Sequence, residues 1–203
     1  NNCFGIIVER LISDQEIVHK KIAPPLYKIK NISGITTLAN GEACLIINIS
    51  DVISTIGSKK IKTKIIIQNE ISKVKNNAKY KILVVDDSYT TRILQQKILS
   101  GLGYNVQSAT NPTHALEKIE NEQFDLIISD VQMPVMNGFE FIKLLRQKPN
   151  YENIPIIVMS SEPMENYQKE IKETKIIKYI PKNLFKQDEL ISCIEKALEQ
   201  GVT

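Results

Sequence analysis

Beyond residue 80, short apolar runs recur with no polar residue inside them: Ile82–Val85, Leu126–Ile128, Ile156–Met159 and Ile176–Ile177. A strand with one wet face alternates polar and apolar residues. An uninterrupted run is what a strand needs when both its faces are covered. Helical patterns lie between the runs. Leu94, Ile98 and Leu102 repeat at a spacing of four, with Gly101 and Gly103 to close the helix. Asn111-Pro112 reads as a cap with Pro at the first helical position, ahead of Ala115, Leu116 and Ile119. Leu190, Ile194, Ala197 and Leu198 form the apolar stripe of a last helix. Buried strands alternating with amphipathic helices predict an α/β unit over residues 80–203. It should be a doubly wound, five-stranded parallel sheet with right-handed crossovers. The few residues after Leu198 leave no room for an output domain at that end.

Parallel strands bring their carboxyl ends to one edge, and open α/β sheets place their sites there. The stretch Phe124–Phe141 (FDLIISDVQMPVMNGFEF) ends a buried strand on Asp130 and follows it with a Met-Pro turn and an Asn-Gly step. The first strand ends on Asp86-Asp87, the fourth on Ser160-Ser161 and the fifth near Lys182. Three carboxylates, a hydroxyl and an ammonium therefore converge on one edge. Clustered carboxylates repel one another and call for a cation. With oxygen donors and no Cys or His nearby, the matching ion is Mg²⁺. A carboxylate beside such an ion is a competent nucleophile for phosphoryl transfer and yields an acyl phosphate. The Lys would pair with the phosphoryl group and the Ser would hydrogen-bond to it.

KILVVDDS, DLIISDVQMPVMNG, IPIIVMSS and KYIPK occur in the order and spacing of the response-regulator receiver domain, and residues 81–200 resemble that flavodoxin-like family. The resemblance implies that Asp130 is the phosphoacceptor. It implies Mg²⁺ held by Asp87, Asp130 and the backbone carbonyl of Gln132, with Asp86 acting through water. Ser160 would be the switch hydroxyl, Lys182 the phosphate partner and Tyr179 the aromatic switch. Gln132 and Glu162 would set how fast the phosphoryl group is lost. The sequence departs from the family pattern twice. Asn183 follows Lys182 where the family carries Pro, the residue that makes a cis bond cheap. Thr174-Lys175-Ile176-Ile177 stands where the family carries a Gly-Ala step. DDSYTTR, the Ser-Ser-Glu run, Phe185 and the Gln-Asp-Glu-Leu helix start resemble receivers fused to chemotaxis-type kinases. Met133 and Met136 read as turn and packing residues, and His114 as an exposed helix residue.

Residues 1–57 read as β structure. Phe4, Ile6 and Val8 alternate with Gly5, Ile7 and Glu9; Glu16–Ile22 is a second strand stopped by Pro24-Pro25. Ile35–Ala39 and Glu42–Ile49 flank Asn40-Gly41, a strong hairpin signal, and Asp51 is placed to cap a short helix. His19 sits in a polar run and reads as a plain surface side chain. FGIIVERL, QEIV, the ISGIT turn and NGEACLIINISDVI resemble the C-terminal half of a chemotaxis coupling-protein-like β-barrel domain. The first half of such a barrel lies outside the sequence, which implies unpaired edges. Residues 58–79 carry seven Lys against one Glu and read as a solvated linker. Chain opening on strand-like sequence without Met is expected of a piece of a longer polypeptide.

The formal charge of +3 comes from that linker, because residues 80–203 carry fourteen Lys and Arg against seventeen Asp and Glu. No folded unit is basic, which disfavours nucleic acid as a partner. Cys3, Cys44 and Cys193 form no metal-ligand spacing and suit a reducing cytoplasm, and no apolar run is long enough to insert in a membrane. The combined resemblance implies the C-terminal end of a hybrid chemotaxis-type histidine kinase. Its partners would be a phospho-His donor domain and, through the N-terminal unit, chemoreceptor and coupling proteins at a receptor array. This stretch itself would be an acceptor, with any kinase catalytic domain outside it. Two other readings stand beside it: a coupling-protein–receiver scaffold tuned by phosphorylation, and a degenerate receiver that only binds other proteins. A phosphatase turning over an aspartyl phosphate would need a second Asp two residues after the nucleophile, and that position is Gln132.

Overall fold

The computed structural model describes residues 16–21, 29–57, 76–184 and 187–200. The strand expected at Phe4–Val8, the Pro24-Pro25 stop, most of the Lys-rich segment and Phe185 lie outside them. Three N-terminal strands, β1 (Lys20–Lys21), β2 (Ile32–Thr37) and β3 (Ala43–Ile47), form an antiparallel sheet in that order. The Asn40-Gly41 hairpin is present, with Gly41 at φ +83° and Leu38 N–H donating to the Glu42 carbonyl at 2.8 Å. Gly is the residue that takes this backbone conformation without strain. Helix α1 (Ile49–Gly57) follows. Its cap is Asn48, whose side chain accepts from Asp51 N–H at 3.3 Å. Asp51, expected to be the cap, instead stands in the first turn, where its charge suits the helix N-terminus. Of the strand expected over Glu16–Ile22, only Lys20–Lys21 pairs among the described residues.

The second sheet is parallel. Its strands are β4 (Lys81–Val85), β5 (Asn105–Ala109), β6 (Leu126–Asp130), β7 (Ile156–Ser160) and β8 (Lys178–Pro181), ordered β5-β4-β6-β7-β8. Helices α2 (Tyr89–Gly101), α3 (Pro112–Asn121), α4 (Gly138–Arg146) and α5 (Gln168–Thr174) make the crossovers, and α6 (Gln187–Gln200) follows the last strand. Strand residues alternate between two apolar cores. Ile82, Val84, Leu126, Ile128, Ile157 and Met159 meet α2 and α6 on one face. Leu83, Val85, Ile127, Ile156 and Val158 meet α3 and α4 on the other. That two-sided burial is why the central strands β4, β6 and β7 carry uninterrupted apolar runs.

One apolar run misled. Ile176 and Ile177 precede the last strand rather than form it, and Ile177 is exposed. Lys175 leaves α5 in the left-handed conformation, φ 49° and ψ 45°, and the chain needs two more residues to enter the sheet. A left-handed exit is where Gly costs least, which accounts for the departure at this step being a strained one. His114 is half-buried rather than exposed, with Thr110 Oγ1 at 3.4 Å from Nδ1. Met133 is buried in the α3–α4 core and Met136 packs against it. His19 lies on the surface with Nε2 3.2 Å from the Ser33 carbonyl.

The N-terminal sheet does not stand apart. Ile29 and Ile35 belong to the same apolar core as Ile98, Leu190, Ile194 and Leu198, and Ile32 and Leu45 pack against it. Helix α3 is capped as its sequence predicts, by Asn111 accepting from His114 N–H at 2.8 Å. Asn111→Ala should therefore cost about 1 kcal/mol, read as a lower urea midpoint with an unchanged denaturant slope.

Candidate functional site

Strand β4 ends at Val85 and β6 at Asp130, so parallel register sets Asp86 and Asp130 side by side at the carboxyl edge. Ligand oxygens of Asp86, Asp87 and Asp130 lie within 4.8 Å of one another. Asp86 and Asp130 are buried, at 1% and 6% exposure, whereas Asp87 faces solvent. Lys182, at 3% exposure, follows β8 and reaches back across β7. Its Nζ lies 2.9 Å from Asp86 Oδ2 and 2.6 Å from Asp130 Oδ2. The remaining Asp86 oxygen accepts from Ser88 N–H at 2.9 Å, and Asp130 Oδ1 accepts from Gln132 N–H at 3.3 Å.

The loops that hold these groups are built from local rules. Ser88 caps α2, its hydroxyl accepting from Thr91 N–H, and so fixes the turn that carries Asp86 and Asp87. Asn137 caps α4 in a reciprocal box with Glu140, which anchors the far side of the loop after Asp130. Gly138 N–H donates to the Val131 carbonyl at 2.9 Å, and any Cβ at residue 138 would collide with the Asp130 carbonyl oxygen. Gly here permits a close backbone approach directly behind the Asp130 carboxylate.

Ser160 and Tyr179 hold the two peptide groups that flank Glu162. Ser160 Oγ, fully buried, accepts from Glu162 N–H at 3.1 Å, and Tyr179 Oη donates to the Glu162 carbonyl at 2.7 Å. Tyr179 is buried, with its ring centroid 6.2 Å from Tyr167. The Glu162 carboxylate accepts from Gln132 Nε2 at 3.3 Å across the mouth of the site and from Asn166 at 3.1 Å. Asp86, Lys182, Asp130, Gln132, Glu162, Ser160 and Tyr179 are thus joined at one edge, with Asp87 beside them. Sequence reasoning missed Arg92, which is buried and donates from Nη1 to the carbonyls of Asp86 at 2.7 Å and Asp87 at 3.4 Å. Its signal was present in DDSYTTR: one turn into α2, a cation points back at the loop that opens the helix. Asn166 gave no signal, because only the fold brings it to Glu162.

The electrostatics are those of a site short of positive charge. Burial pushes the Asp86 carboxyl up to about 6; Lys182 pulls it down, and the Asp130 charge adds to the rise. Burial likewise raises Asp130 against the pull of Lys182. Burial alone would lower Lys182, but the charges of Asp86 and Asp130 outweigh it and hold the ammonium protonated. One cation cannot neutralise two buried carboxylates and a third at their side.

The response regulator receiver domain model matches residues 82–195. The chain belongs to the response regulator receiver family. A CheW-like domain model matches residues 1–57, ahead of the receiver. The sensor histidine kinase CheAY of Helicobacter pylori is 31% identical over 182 residues, covering 88% of this chain and 23% of that protein. The chemotaxis protein CheV3 of the same organism is 29% identical over 183 residues, covering 85% of this chain and 56% of that protein. The chain therefore spans roughly a quarter and roughly half of these relatives' lengths. The solved structure of the Vibrio cholerae chemotaxis protein CheY4 superposes on the receiver with a TM-score of 0.55 at 35% identity, covering 58% of this chain and 98% of that one. The receiver is thus of the chemotaxis type, with the flavodoxin-like sheet its sequence predicts and an acidic cluster compatible with Mg²⁺ and with phosphoacceptor chemistry.

A carboxyl whose folded pKa lies above its unfolded value of 3.8 holds its proton more tightly when folded. Asp86 therefore opposes folding above about pH 6, and the opposition fades as pH falls towards 3.8. In chelator, Asp86→Asn should raise stability at pH 7.5 by about 2 kcal/mol and flatten the stability profile between those two pH values. Urea titrations across pH measure both, and a variant with the wild-type slope contradicts the reading.

Proposed function

We propose that this chain is the phosphoacceptor end of a chemotaxis-type signalling protein, in which Asp130 takes a phosphoryl group from a phospho-His donor. The observation that carries the reading is Lys182 bridging buried Asp86 and Asp130 beside exposed Asp87. Hard oxygen donors with an excess of negative charge fit Mg²⁺. Asp87, Asp130 and the Gln132 carbonyl would hold the ion, with Asp86 supporting it through water. The ion supplies charge neutralisation for the phosphoryl oxygens.

The chain's own groups do the rest. A carboxylate oxygen of Asp130 forms the new P–O bond as the donor's P–N bond breaks, its electron pair leaving with the imidazole nitrogen. Lys182 gives up one carboxylate contact and pairs with the phosphoryl oxygens. Arg92 holds the Asp86 and Asp87 carbonyls so that their side chains stay aimed at the site. Ser160 turns its hydroxyl from Glu162 N–H to the phosphoryl group. The backbone on either side of Glu162, whose N–H Ser160 holds and whose carbonyl Tyr179 holds in this structure, is then released, and Tyr179 with it. Gln132 and Glu162, joined across the mouth, stand where water must pass to hydrolyse the acyl phosphate.

In this reading the chain is an acceptor and not a kinase, and it works in the cytoplasm at a receptor array, where the CheW-like unit meets chemoreceptor or coupling proteins. The match to CheAY supports a hybrid kinase parent, and the match to CheV3 supports a coupling-protein–receiver scaffold. The two are told apart by whether a kinase catalytic domain shares the polypeptide.

With acetyl phosphate as donor, the chain should incorporate a phosphoryl group only with Mg²⁺, Asp130→Asn should incorporate none, and Asp87→Asn should need more Mg²⁺. Incorporation that survives Asp130→Asn, or none in wild type, would leave a degenerate receiver that serves as an interaction module. Ser160→Ala should still be phosphorylated but lose the accompanying change in Tyr179 fluorescence or hydrogen exchange near Glu162.

A further inference from the structure

The coupling-protein-like sheet rests on the receiver at one face, and that face is tied to the chemistry. Ile29 and Ile35, at 1% and 5% exposure, are buried in the core that α2 and α6 share. Strand β3 lies against α2. Lys30 Nζ is 3.7 Å from Asp188 Oδ2 at the start of α6. That ion pair is largely exposed and contributes little binding energy, but it marks the register of the contact. The apolar side chains hold it.

Helix α6 is also the element that follows Lys182 in the chain. It opens at Gln187, five residues after the ammonium that bridges Asp86 and Asp130. Glu189 in its first turn pairs with Lys178 of β8 at 3.0 Å, so the strand that delivers Lys182 and the helix that follows it are braced together. Asp188 and Leu190, the residues that meet the N-terminal unit or its core, flank that brace. A phosphoryl group on Asp130 takes the place Lys182 Nζ now holds at 2.6 Å. The ammonium must withdraw to pair with the phosphoryl oxygens, and the start of α6 moves with the segment that carries it.

We infer that the α2–α6 face is an intramolecular docking surface for the CheW-like unit, and that phosphorylation of Asp130 weakens this docking through Lys182 and α6. The linkage rests on the phosphoacceptor reading above; the docking does not. By reciprocity, freeing the sheet must favour the phosphorylated state by the same factor. The unit that couples to chemoreceptors would then be held by the resting receiver and released by the loaded one.

The test uses the 203-residue chain. Carbodiimide joins an amine to a carboxylate without a spacer, so it should link Lys30 to Asp188, identified by peptide mass spectrometry and lost in Asp188→Asn. Adding beryllofluoride with Mg²⁺, as a stand-in for the acyl phosphate, should lower the yield by roughly fivefold. Asp130→Asn should show no such drop. No link in wild type overturns the docking face. A link whose yield ignores beryllofluoride, in a sample that does incorporate phosphoryl from acetyl phosphate, overturns the linkage alone. If nothing is incorporated, the phosphoacceptor reading fails and the linkage with it, while the cross-link still decides the docking. Ile35→Ser, which weakens the apolar contact without a charge, should lower the yield at rest; an unchanged yield counts against the docking as drawn.

Discussion

Lys182 holds together two carboxylates that no other described side chain could keep in one buried place. Moving any one of these three ions out of water costs several kcal/mol, and that cost is recovered only through close mutual contact. The contacts are close, 2.9 Å to Asp86 and 2.6 Å to Asp130, and they tie the ends of β4, β6 and β8 into one unit. The recovery is incomplete, since the charges do not sum to zero. Burial, with the Asp130 charge adding to it, lifts Asp86 to about 6, and the unbalanced charge makes the site receptive to a divalent cation. The site is thus held in tension by its own charge: stable enough to fold, and short of the positive charge that its chemistry would bring.

The sheet is what makes the arrangement affordable. Its two-sided burial gives rigid strands, and their parallel register sends every carboxyl end to one edge. The loops are then fixed by caps at Ser88 and Asn137 and by the close approach at Gly138. None of these features is itself a charged group of the site. They hold those groups in place, which is where positioning becomes chemistry.

On the other side, two sets of contacts lead away from the site. Ser160 and Tyr179 hold the backbone on either side of Glu162 from two strands, and Glu189 of α6 pairs with Lys178 of the strand that delivers Lys182. The small N-terminal sheet sits where α6 begins rather than on a separate tether. A receiver and a coupling unit joined in sequence by a Lys-rich stretch are therefore also joined through an apolar core.

The sequence by itself determined the layers and the roster of the site. Uninterrupted apolar runs require strands covered on both faces, and a parallel sheet so built leaves its strand-end carboxylates, hydroxyl and ammonium at one edge whatever the details. Local chemistry was equally legible in the Asn40-Gly41 turn and the Asn111-Pro112 cap, because both act within four residues. It misplaced the last strand, since an Ile-Ile pair after a helix looks the same whether it enters the sheet or merely approaches it. Only the tertiary structure decided that Lys182 bridges two carboxylates 96 and 52 residues away, that Arg92 turns back onto the Asp86 and Asp87 carbonyls, and that Asn166 reaches Glu162. Only it placed Ile29 and Ile35 in the receiver's core. Those contacts depend on which strands and helices become neighbours, and a one-dimensional pattern records the need to be buried without recording against what.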